Sequence, residues 1–254
     1  MTAAGRRVLV TGGGRGLGAA IVRALAAAGH DVHFTYRAAA AEADALIGAL
    51  RAAHPAQTFS TQAVDLSDRA AVTALAAEVE KADTPFSGFV HNAGQSYDTL
   101  AAMLDQDKAE QAMQVNFWSF TKLAGALFRP MTRARDGRMV AIGSITALQA
   151  NQGNAAYAAS KAALLGYVRT LAIEAAKRGV TVNYVAPGFI DTEMMAPYAA
   201  YRATMEKQIP AGRFATPEDV AGVVAFLLGP AAAYVTGAVV PVDGGLSAAI
   251  GIHR

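Results

Sequence analysis

Residues 8–18 read VLVTGGGRGLG, and this stretch decides the fold. Its apolar start predicts a strand buried on both faces, and the Ala- and Leu-rich segment 17–28 predicts a helix directly after the glycines. Glycines let the chain turn tightly and approach a pyrophosphate, whose charge the N-terminus of the helix would stabilise. A flexible turn is the alternative, but the combination of strand, turn and helix favours dinucleotide binding. The residues predicted to contact the dinucleotide here are Thr11, Gly12, Gly14, Arg15, Gly16, Leu17 and Gly18.

The alternation of strand and helix continues along the chain. Further apolar runs predict strands at 31–36, 58–64, 86–91, 138–143, 180–185 and 238–242. Longer Ala-, Leu- and Glu-rich segments predict helices at 41–53, 69–81 and 155–178, with another long helix around 107–133. This order predicts an α/β fold, a Rossmann-type doubly wound parallel sheet of about seven strands with helices on both faces. No linker divides the chain, so we expect one domain over residues 1–254.

The composition excludes several classes of function. The chain has 254 residues, 53% of them hydrophobic and 17% charged, which rules out a disordered protein. Its net charge of +2 is too small for a dedicated nucleic-acid-binding protein. The absence of cysteine excludes disulfides and zinc–sulfur sites, and the histidine spacing predicts no metal site. No apolar run reaches the roughly 18 to 20 residues that cross a bilayer, and the N-terminus lacks a secretory signal, so we expect a soluble, cytoplasmic protein.

The end of the second predicted strand indicates which dinucleotide binds. NAD-binding folds usually place an acid there to hold the ribose hydroxyls, whereas this chain has Tyr36 and Arg37 and no acid before Glu42. A carboxylate would repel a 2′-phosphate, while a guanidinium binds it through charge-assisted hydrogen bonds. Arg37 therefore favours NADP(H), with Arg15 as a second candidate. The alternative is that Arg37 is simply a solvated loop residue.

Ser144, Tyr157 and Lys161 form the most specific constellation. Tyr157 and Lys161 are four residues apart, so a helix places them on one face. The pKa of a phenol is about 10, and a neighbouring ammonium is expected to lower it. Ser144 would hydrogen-bond a substrate oxygen. Taken alone, the Tyr–Lys spacing more often marks a surface lysine beside a packed tyrosine.

The joint occurrence of several motifs changes that reading. In chain order they are the glycine turn, Asn92-Ala93-Gly94, Asn116, Ser144, Tyr157 with Lys161, and Pro187-Gly188. With these motifs the chain resembles the short-chain dehydrogenase/reductase family over essentially its whole length. The stretches 11–18, 182–188, 209–213 and 234–245 make it most similar to the 3-oxoacyl-[acyl-carrier-protein] reductases. His91 is a departure, because the family usually has Asn there, and we expect an altered local hydrogen bond.

The resemblance implies specific roles for these residues. Tyr157 would protonate the carbonyl that Ser144 orients, and Asn116 would hold a water in a proton relay with Lys161. The further residues that would contact NADPH are Asp65, Leu66, Asn92, Ala93, Gly94, Tyr157, Lys161, Pro187, Gly188, Ile190 and Thr192. A segment at about 187–213 would form a lid over the substrate. Each residue also has a plainer interpretation; Asp65, for example, could only start a turn.

The expected activity is NADPH-dependent reduction of a 3-ketoacyl thioester to its 3-hydroxyacyl form, in fatty-acid or polyketide/polyene-type biosynthesis. An acidic acyl carrier protein would dock at an arginine cluster, chiefly Arg129 and Arg133 with Arg135 and Arg138, although a solvated helix end is the alternative. Two other functions stay open. One is a reductase or dehydrogenase of a free alcohol, ketone, sugar or steroid, and the other is a catalytically silent nucleotide-binding subunit. The family resemblance implies a homotetramer or homodimer, with the apolar tail 248–254 in its interface.

Overall fold

The computed structural model describes residues 5–249. All seven predicted strands form, within two residues of the predicted bounds, and they pair in parallel as one sheet. The strands are β1 Arg7–Thr11, β2 Asp31–Tyr36, β3 Phe59–Ala63, β4 Gly88–His91, β5 Gly137–Ile142, β6 Val180–Pro187 and β7 Val239–Val242. The tail at 248–254 lies largely outside the described residues.

The helices follow the predicted alternation with the strands. The α-helices of the described chain are α1 Gly16–Ala27, α2 Ala40–Ala53, α3 Arg69–Glu80, α4 Gln106–Met113, α5 Ser119–Ala134, α6 Ala155–Ala176, α7 Arg202–Glu206 and α8 Pro217–Leu228. The predicted helices at 17–28, 41–53, 69–81 and 155–178 correspond to α1, α2, α3 and α6.

Helices cover both faces of the sheet. Helices α3, α5 and α6 contribute to the core on one face, and α1, α2 and α8 to the core on the other. Side chains of each strand alternate between the two cores, so that Leu9 faces the first and Val10 the second. Both are fully buried, which explains why the strands are continuously apolar. The predicted doubly wound α/β fold is confirmed.

The strand order fixes the position of the site. It is β3-β2-β1-β4-β5-β6-β7, so the chain reverses its direction of winding between β1 and β4. Thr11 and His91, the last residues of these two strands, are paired in register. In open α/β sheets, ligands bind in the crevice at the carboxyl ends of the strands, at this point of reversal.

The long helix predicted around 107–133 is interrupted. Between α4 and α5 lies a π-helical turn, Gln114–Trp118, which carries Asn116 in its middle. A π turn holds an extra residue and often occurs at functional sites. Asn116 is fully buried at this turn, which no apolar periodicity in the sequence indicated.

The predicted lid contains two short helical pieces. A 3₁₀ segment, Glu193–Tyr201, runs directly into α7. Arg202 holds this region together through ion pairs with Asp191 at 2.7 Å and with Glu206 at 2.9 Å. Among the described helices, none is both long enough and apolar enough to cross a membrane.

Candidate active site

The glycine turn forms a cradle at the N-terminus of α1. Gly12 and Gly16 have φ angles of +68° and +52°, a region that favours glycine. A Cβ atom added to Gly18 would lie 1.9 Å from the carbonyl oxygen of Gly12, so the helix can approach the turn only with glycine there. No side chain caps the helix at Arg15. The first N–H groups of α1 are therefore available to an anion such as a pyrophosphate, which these residues fit.

Thr11 and Asn92 tie the ends of β1 and β4 together beneath this cradle. The Thr11 Oγ1 atom accepts hydrogen bonds from the main-chain N–H groups of Asn92 and Ala93, both at 3.1 Å. The Asn92 side chain donates in return to the carbonyl oxygens of Thr11 at 3.2 Å and Gly12 at 2.9 Å. These four bonds fix the turn relative to the strand that follows it in the sheet.

His91 forms a further side-chain hydrogen bond between the ends of the same two strands. The ring is fully buried, and its Nδ1 atom lies 3.1 Å from Thr11 Oγ1. Burial first, and the charge of Lys161 second, lower the pKa of His91 to about 3. The imidazole is therefore neutral at physiological pH.

The structure brings the three predicted catalytic side chains together at the end of β5. Ser144 follows β5, and its Oγ atom accepts a hydrogen bond from the main-chain N–H of Thr146 at 3.1 Å. Tyr157 and Lys161 lie in the first two turns of α6, with Lys161 Nζ 5.7 Å from the centre of the Tyr157 ring. Lys161 Nζ donates a 2.9 Å hydrogen bond to the carbonyl oxygen of Ile142.

Asn116 lies beside this group. Its Nδ2 atom donates to Ser160 Oγ and to the carbonyl of Gln95, each at 2.9 Å, and its Oδ1 atom accepts from the Gln95 N–H at 2.8 Å. A Cβ atom on Gly94 would lie 3.4 Å from Lys161 Nζ and 3.5 Å from Asn116 Oδ1. Gly94 therefore lies next to both the lysine and the amide.

Burial sets the protonation of the phenol and the lysine. Burial raises the pKa of Tyr157 to about 12, while the Ser144 side chain lowers it and the Asp98 charge raises it further. Burial lowers the pKa of Lys161 to about 8. The pKa of Tyr157 is raised and not lowered as expected, because desolvation is the largest cause of the shift and the charge of Lys161 is not among its causes. At neutral pH the phenol is a protonated hydrogen-bond donor.

Arg37 and Arg15 have different surroundings. Arg37 is exposed after β2. Hydrogen bonds from Ser67 are the main cause of the lowered pKa of Asp65, and the charge of Arg37 lowers it further. Asp65 Oδ1 accepts from both the N–H and the hydroxyl of Ser67, so the turn considered from the sequence does form. Arg15 instead makes an exposed 2.7 Å ion pair with Glu193 of the lid. The two guanidinium groups thus have separate partners.

The remaining predicted cofactor residues lie around the same crevice. A Cβ atom on Gly16 would lie 3.6 Å from Thr192 Cγ2, so the segment after β6 reaches the glycine turn. Gly188 donates from its N–H to the carbonyl of Val242 at 3.0 Å, which ties the exit of β6 to β7. Pro187 ends β6, and Ile190 is half-buried against the core. The Leu66 side chain is buried in the core, so only its main chain could contact a ligand.

The predicted arginine cluster is smaller than the sequence suggested. Arg129 and Arg133 are exposed on α5, as expected for a docking patch. Arg138 is buried in β5, where it donates to the carbonyl of Gly137 at 2.8 Å, and does not join the patch. Arg135 ends α5 in a left-handed conformation and donates to the carbonyl of Lys177 at 3.1 Å. The turn between α5 and β5 thus separates Arg138 from Arg129 and Arg133, although all three are close in sequence.

Several residues of the site were missed from the sequence. Asp98 accepts hydrogen bonds from Ser96, Asn154 and the Tyr198 hydroxyl, and so joins the lid to the loop after β4. Tyr184 of β6 reaches beneath Ser144. β6 also carries the polar residues Thr181 and Asn183, so no pattern in the sequence set Tyr184 apart. Residues 5–249 contain no group of three or more His, Asp or Glu side chains that could hold a metal ion.

Known proteins share this sequence and architecture. The sequence model of a family described as Enoyl-(Acyl carrier protein) reductase matches residues 12–247. The chain is 40% identical to the 3-oxoacyl-[acyl-carrier-protein] reductase MabA of Mycobacterium tuberculosis, over 95% of this chain and 92% of the relative. It is 35% identical to the 3-oxoacyl-[acyl-carrier-protein] reductase FabG of Escherichia coli, over 95% and 97%.

Solved structures of other proteins share the fold of this chain. A putative NAD(P) dependent gluconate 5-dehydrogenase from Beutenbergia cavernae with bound NADP superimposes with a TM-score of 0.91 at 35% identity, covering 97% of this chain and 98% of that one. A blue fluorescent protein from a metagenomic library in complex with NADPH gives 0.88 at 36% identity, covering 97% and 99%. The chain belongs to the short-chain dehydrogenase/reductase family and is an oxidoreductase.

Proposed function

We propose that the protein uses NADPH to reduce the keto group of a 3-ketoacyl thioester, with the acyl chain held on an acyl carrier protein in the cytoplasm. The observation that carries the proposal is the meeting of Ser144, Tyr157 and Lys161 at the crevice beside the glycine turn. Relatives 35–40% identical over most of the chain are named 3-oxoacyl-[acyl-carrier-protein] reductases, which supports this substrate class.

The cradle would hold the cofactor across the crevice. The N–H groups at the start of α1 would bind the pyrophosphate, and Arg37 would bind the 2′-phosphate. The Asn92-Ala93-Gly94 loop would lie beneath it, and Pro187, Gly188, Ile190 and Thr192 would surround the nicotinamide. When bound, NADPH supplies the hydride. Solved relatives that hold NADP or NADPH support this cofactor.

Ser144 and Tyr157 would stabilise the charge that develops on the carbonyl oxygen. Hydrogen bonds to this oxygen strengthen as it becomes an alkoxide, so they lower the barrier more than they stabilise the ketone. Burial keeps the pKa of Tyr157 near 12, and the phenol therefore still carries the proton that it donates to the more basic alkoxide. Lys161, with a pKa near 8, would return a proton to Tyr157, through a water held by Asn116.

The carrier protein would dock at Arg129 and Arg133. Both side chains are exposed and positively charged, which suits an acidic partner. The segment 187–213 would close over the acyl chain, to which it offers exposed apolar side chains such as Met194 and Tyr201. The acyl chains that fit beneath this segment would decide whether the protein acts in fatty-acid or in polyketide/polyene-type biosynthesis.

A homotetramer or homodimer completes the proposal. Trp118, at the end of the π-helical turn, is 50% exposed, and Ile173 on α6 is 80% exposed; an unpaired apolar surface is costly at both places. A second copy of the chain would cover them.

A free sugar acid is the second candidate substrate. Two solved structures with a TM-score of 0.91 are described as putative gluconate dehydrogenases, at 25% and 35% identity. Reduction of a free ketone would need the same Ser144 and Tyr157 geometry but no docking arginines.

A substrate panel with one assay tests the proposal. The purified protein is incubated with NADPH and a 3-ketoacyl thioester, an enoyl thioester or a keto sugar acid, and NADPH consumption is followed. We expect kcat/KM to be highest for the 3-ketoacyl thioester and to rise further when the acyl group is on a carrier protein. Preference for the enoyl thioester or the sugar acid would overturn the substrate assignment. No turnover with any of the three would support the silent subunit.

A further inference from the structure

The hydroxyl of Tyr184 connects two residues of the active site through their main chains. The ring is fully buried, and its oxygen accepts a 3.0 Å hydrogen bond from the N–H of Ser144. The hydroxyl can donate its one proton to either of two carbonyl groups. The Tyr184 hydroxyl oxygen lies 3.2 Å from the carbonyl oxygen of Lys161 and 3.4 Å from that of Ser144. One phenol thus connects Ser144, two residues after β5, with the second turn of α6.

Gly143 shows how closely the ring is fitted. A Cβ atom at this position would lie 1.7 Å from Cζ and 2.0 Å from the hydroxyl oxygen of Tyr184. Gly143 also donates from its N–H to the carbonyl of Val185 at 2.7 Å, which holds it against β6. The glycine and the tyrosine therefore occupy one space between them.

Three consecutive residues at the end of β5 are each anchored to a different partner. Ile142 accepts from Lys161 Nζ, Gly143 donates to β6, and Ser144 donates to the Tyr184 hydroxyl. Only the third anchor depends on a side chain outside the expected catalytic set. Burial raises the pKa of Tyr184, so the hydroxyl keeps its proton and can accept and donate at once.

We propose that Tyr184 is a positioning residue that fixes Ser144 relative to Lys161, and that Gly143 is required because the Tyr184 ring occupies the space of a side chain. Tyr184 does not touch the reacting atoms; it acts through the main chains of the two residues that do. The inference rests on the proposed function for the roles of Ser144 and Lys161.

A tyrosine that only fills the core would give a different result from one that positions Ser144. Tyr184→Phe keeps the ring and removes the bridge. Tyr167→Phe is the matched control, because it removes a phenol hydroxyl from α6 where the ring packs against Phe117 and Phe120. Both variants are assayed with whichever carbonyl substrate the wild type reduces best, and cofactor titration gives the active fraction.

For Tyr184→Phe we expect kcat per active site to fall about 3- to 10-fold, the effect of a single buried hydrogen bond. KM for the thioester and Kd for NADPH should stay within about 2-fold, and Tyr167→Phe should match the wild type. A kcat for Tyr184→Phe within 2-fold of the wild type, or a loss explained by the active fraction alone, would overturn the proposal.

Gly143→Ala provides a second test that does not depend on the hydroxyl. Alone it should strongly reduce soluble, cofactor-binding protein, because the added methyl group overlaps the ring. Combined with Tyr184→Val it should regain folding and NADPH binding but keep a kcat at least 3-fold below the wild type. A double variant as active as the wild type would show that the bridge does not position Ser144, and one that fails to regain folding would show that the ring is not what requires glycine.

Hydrogen exchange separates this proposal from the assignment of function. Amide exchange in a peptide containing Ser144 should accelerate in Tyr184→Phe and stay unchanged in Tyr167→Phe, whatever substrate the enzyme uses. If the wild type reduces no carbonyl compound, the proposed function fails while this bond can still be tested. Unchanged exchange at Ser144 would overturn the positioning role even in a fully active enzyme.

Discussion

Lys161 Nζ donates its 2.9 Å hydrogen bond to the carbonyl of Ile142, the last residue of β5. The ammonium of a helix residue is thus held by the sheet, beneath the Tyr157 ring. Its position depends on the end of β5 as much as on α6. Substitutions there should therefore act on the lysine as well as on Ser144.

Replacing Tyr157 by phenylalanine removes the proton donor and keeps the ring. We expect kcat to fall by about 10² to 10⁴, the usual loss for general acid catalysis, while the NADPH Kd changes little. Steady-state kinetics and fluorescence titration measure the two quantities. A variant that retained more than half of the wild-type turnover would remove Tyr157 from the mechanism.

Replacing Arg37 by aspartate should reduce the preference for NADPH. Charge-assisted hydrogen bonding by Arg37 would give a preference on the order of 10- to 100-fold in kcat/KM, and a carboxylate in its place would repel the 2′-phosphate. Arg23→Asp, an exposed position on α1, serves as the control for the change in charge. Equal kcat/KM values of the wild type for NADPH and NADH would contradict the assignment.

Reversing charge at Arg129 and Arg133 should affect only carrier-bound substrates. We expect kcat/KM for the carrier-bound thioester to fall by about tenfold, and that for a small thioester to stay unchanged, since only the former needs the patch. Arg23→Glu combined with Arg178→Glu changes the charge by the same amount at other exposed sites. Equal losses on both substrates would mean that these arginines act on folding or on cofactor binding.

The buried His91 should make the fold sensitive to acid. Its pKa is near 3 in the fold and near 6.5 in the unfolded chain, so between these values only the unfolded state binds the proton. The stabilisation is complete above pH 6.5, and the free energy of unfolding should fall by up to about 1.4 kcal/mol per pH unit as pH drops from there. Denaturant titrations of His91→Asn should show a shallower decline. Identical slopes would show that His91 does not control this dependence.

Self-association should depend on the face that carries Ile173. Light scattering at micromolar concentration should show a dimer or tetramer, and Ile173→Glu should dissociate it by placing a charge in the apolar contact. Met103→Glu, an equally exposed apolar position before α4, is the control. A monomeric wild type would contradict the oligomer.

The fold was predictable because its signals are local. Apolar runs such as 8–10 are continuous since the strands are buried on both faces, and Tyr157 and Lys161 share a helix whose spacing is fixed. The burial of Arg138 and the contact between Tyr184 and Gly143 depend on strands that are neighbours only in space. The predicted direction of the Tyr157 pKa shift was wrong because desolvation, its largest cause, is a property of the assembled site.

The π-helical turn makes the chain around Asn116 intolerant of changes in length. One residue corresponds to about 100° of rotation in an α-helix, and the turn accommodates one residue more than a regular helix would. Deleting a residue from Gln114–Trp118 would rotate Asn116 away from Ser160, or Phe120 of α5 away from the core. Insertions and deletions during the divergence of this protein should therefore accumulate in the loop before α4 and be absent from these five residues.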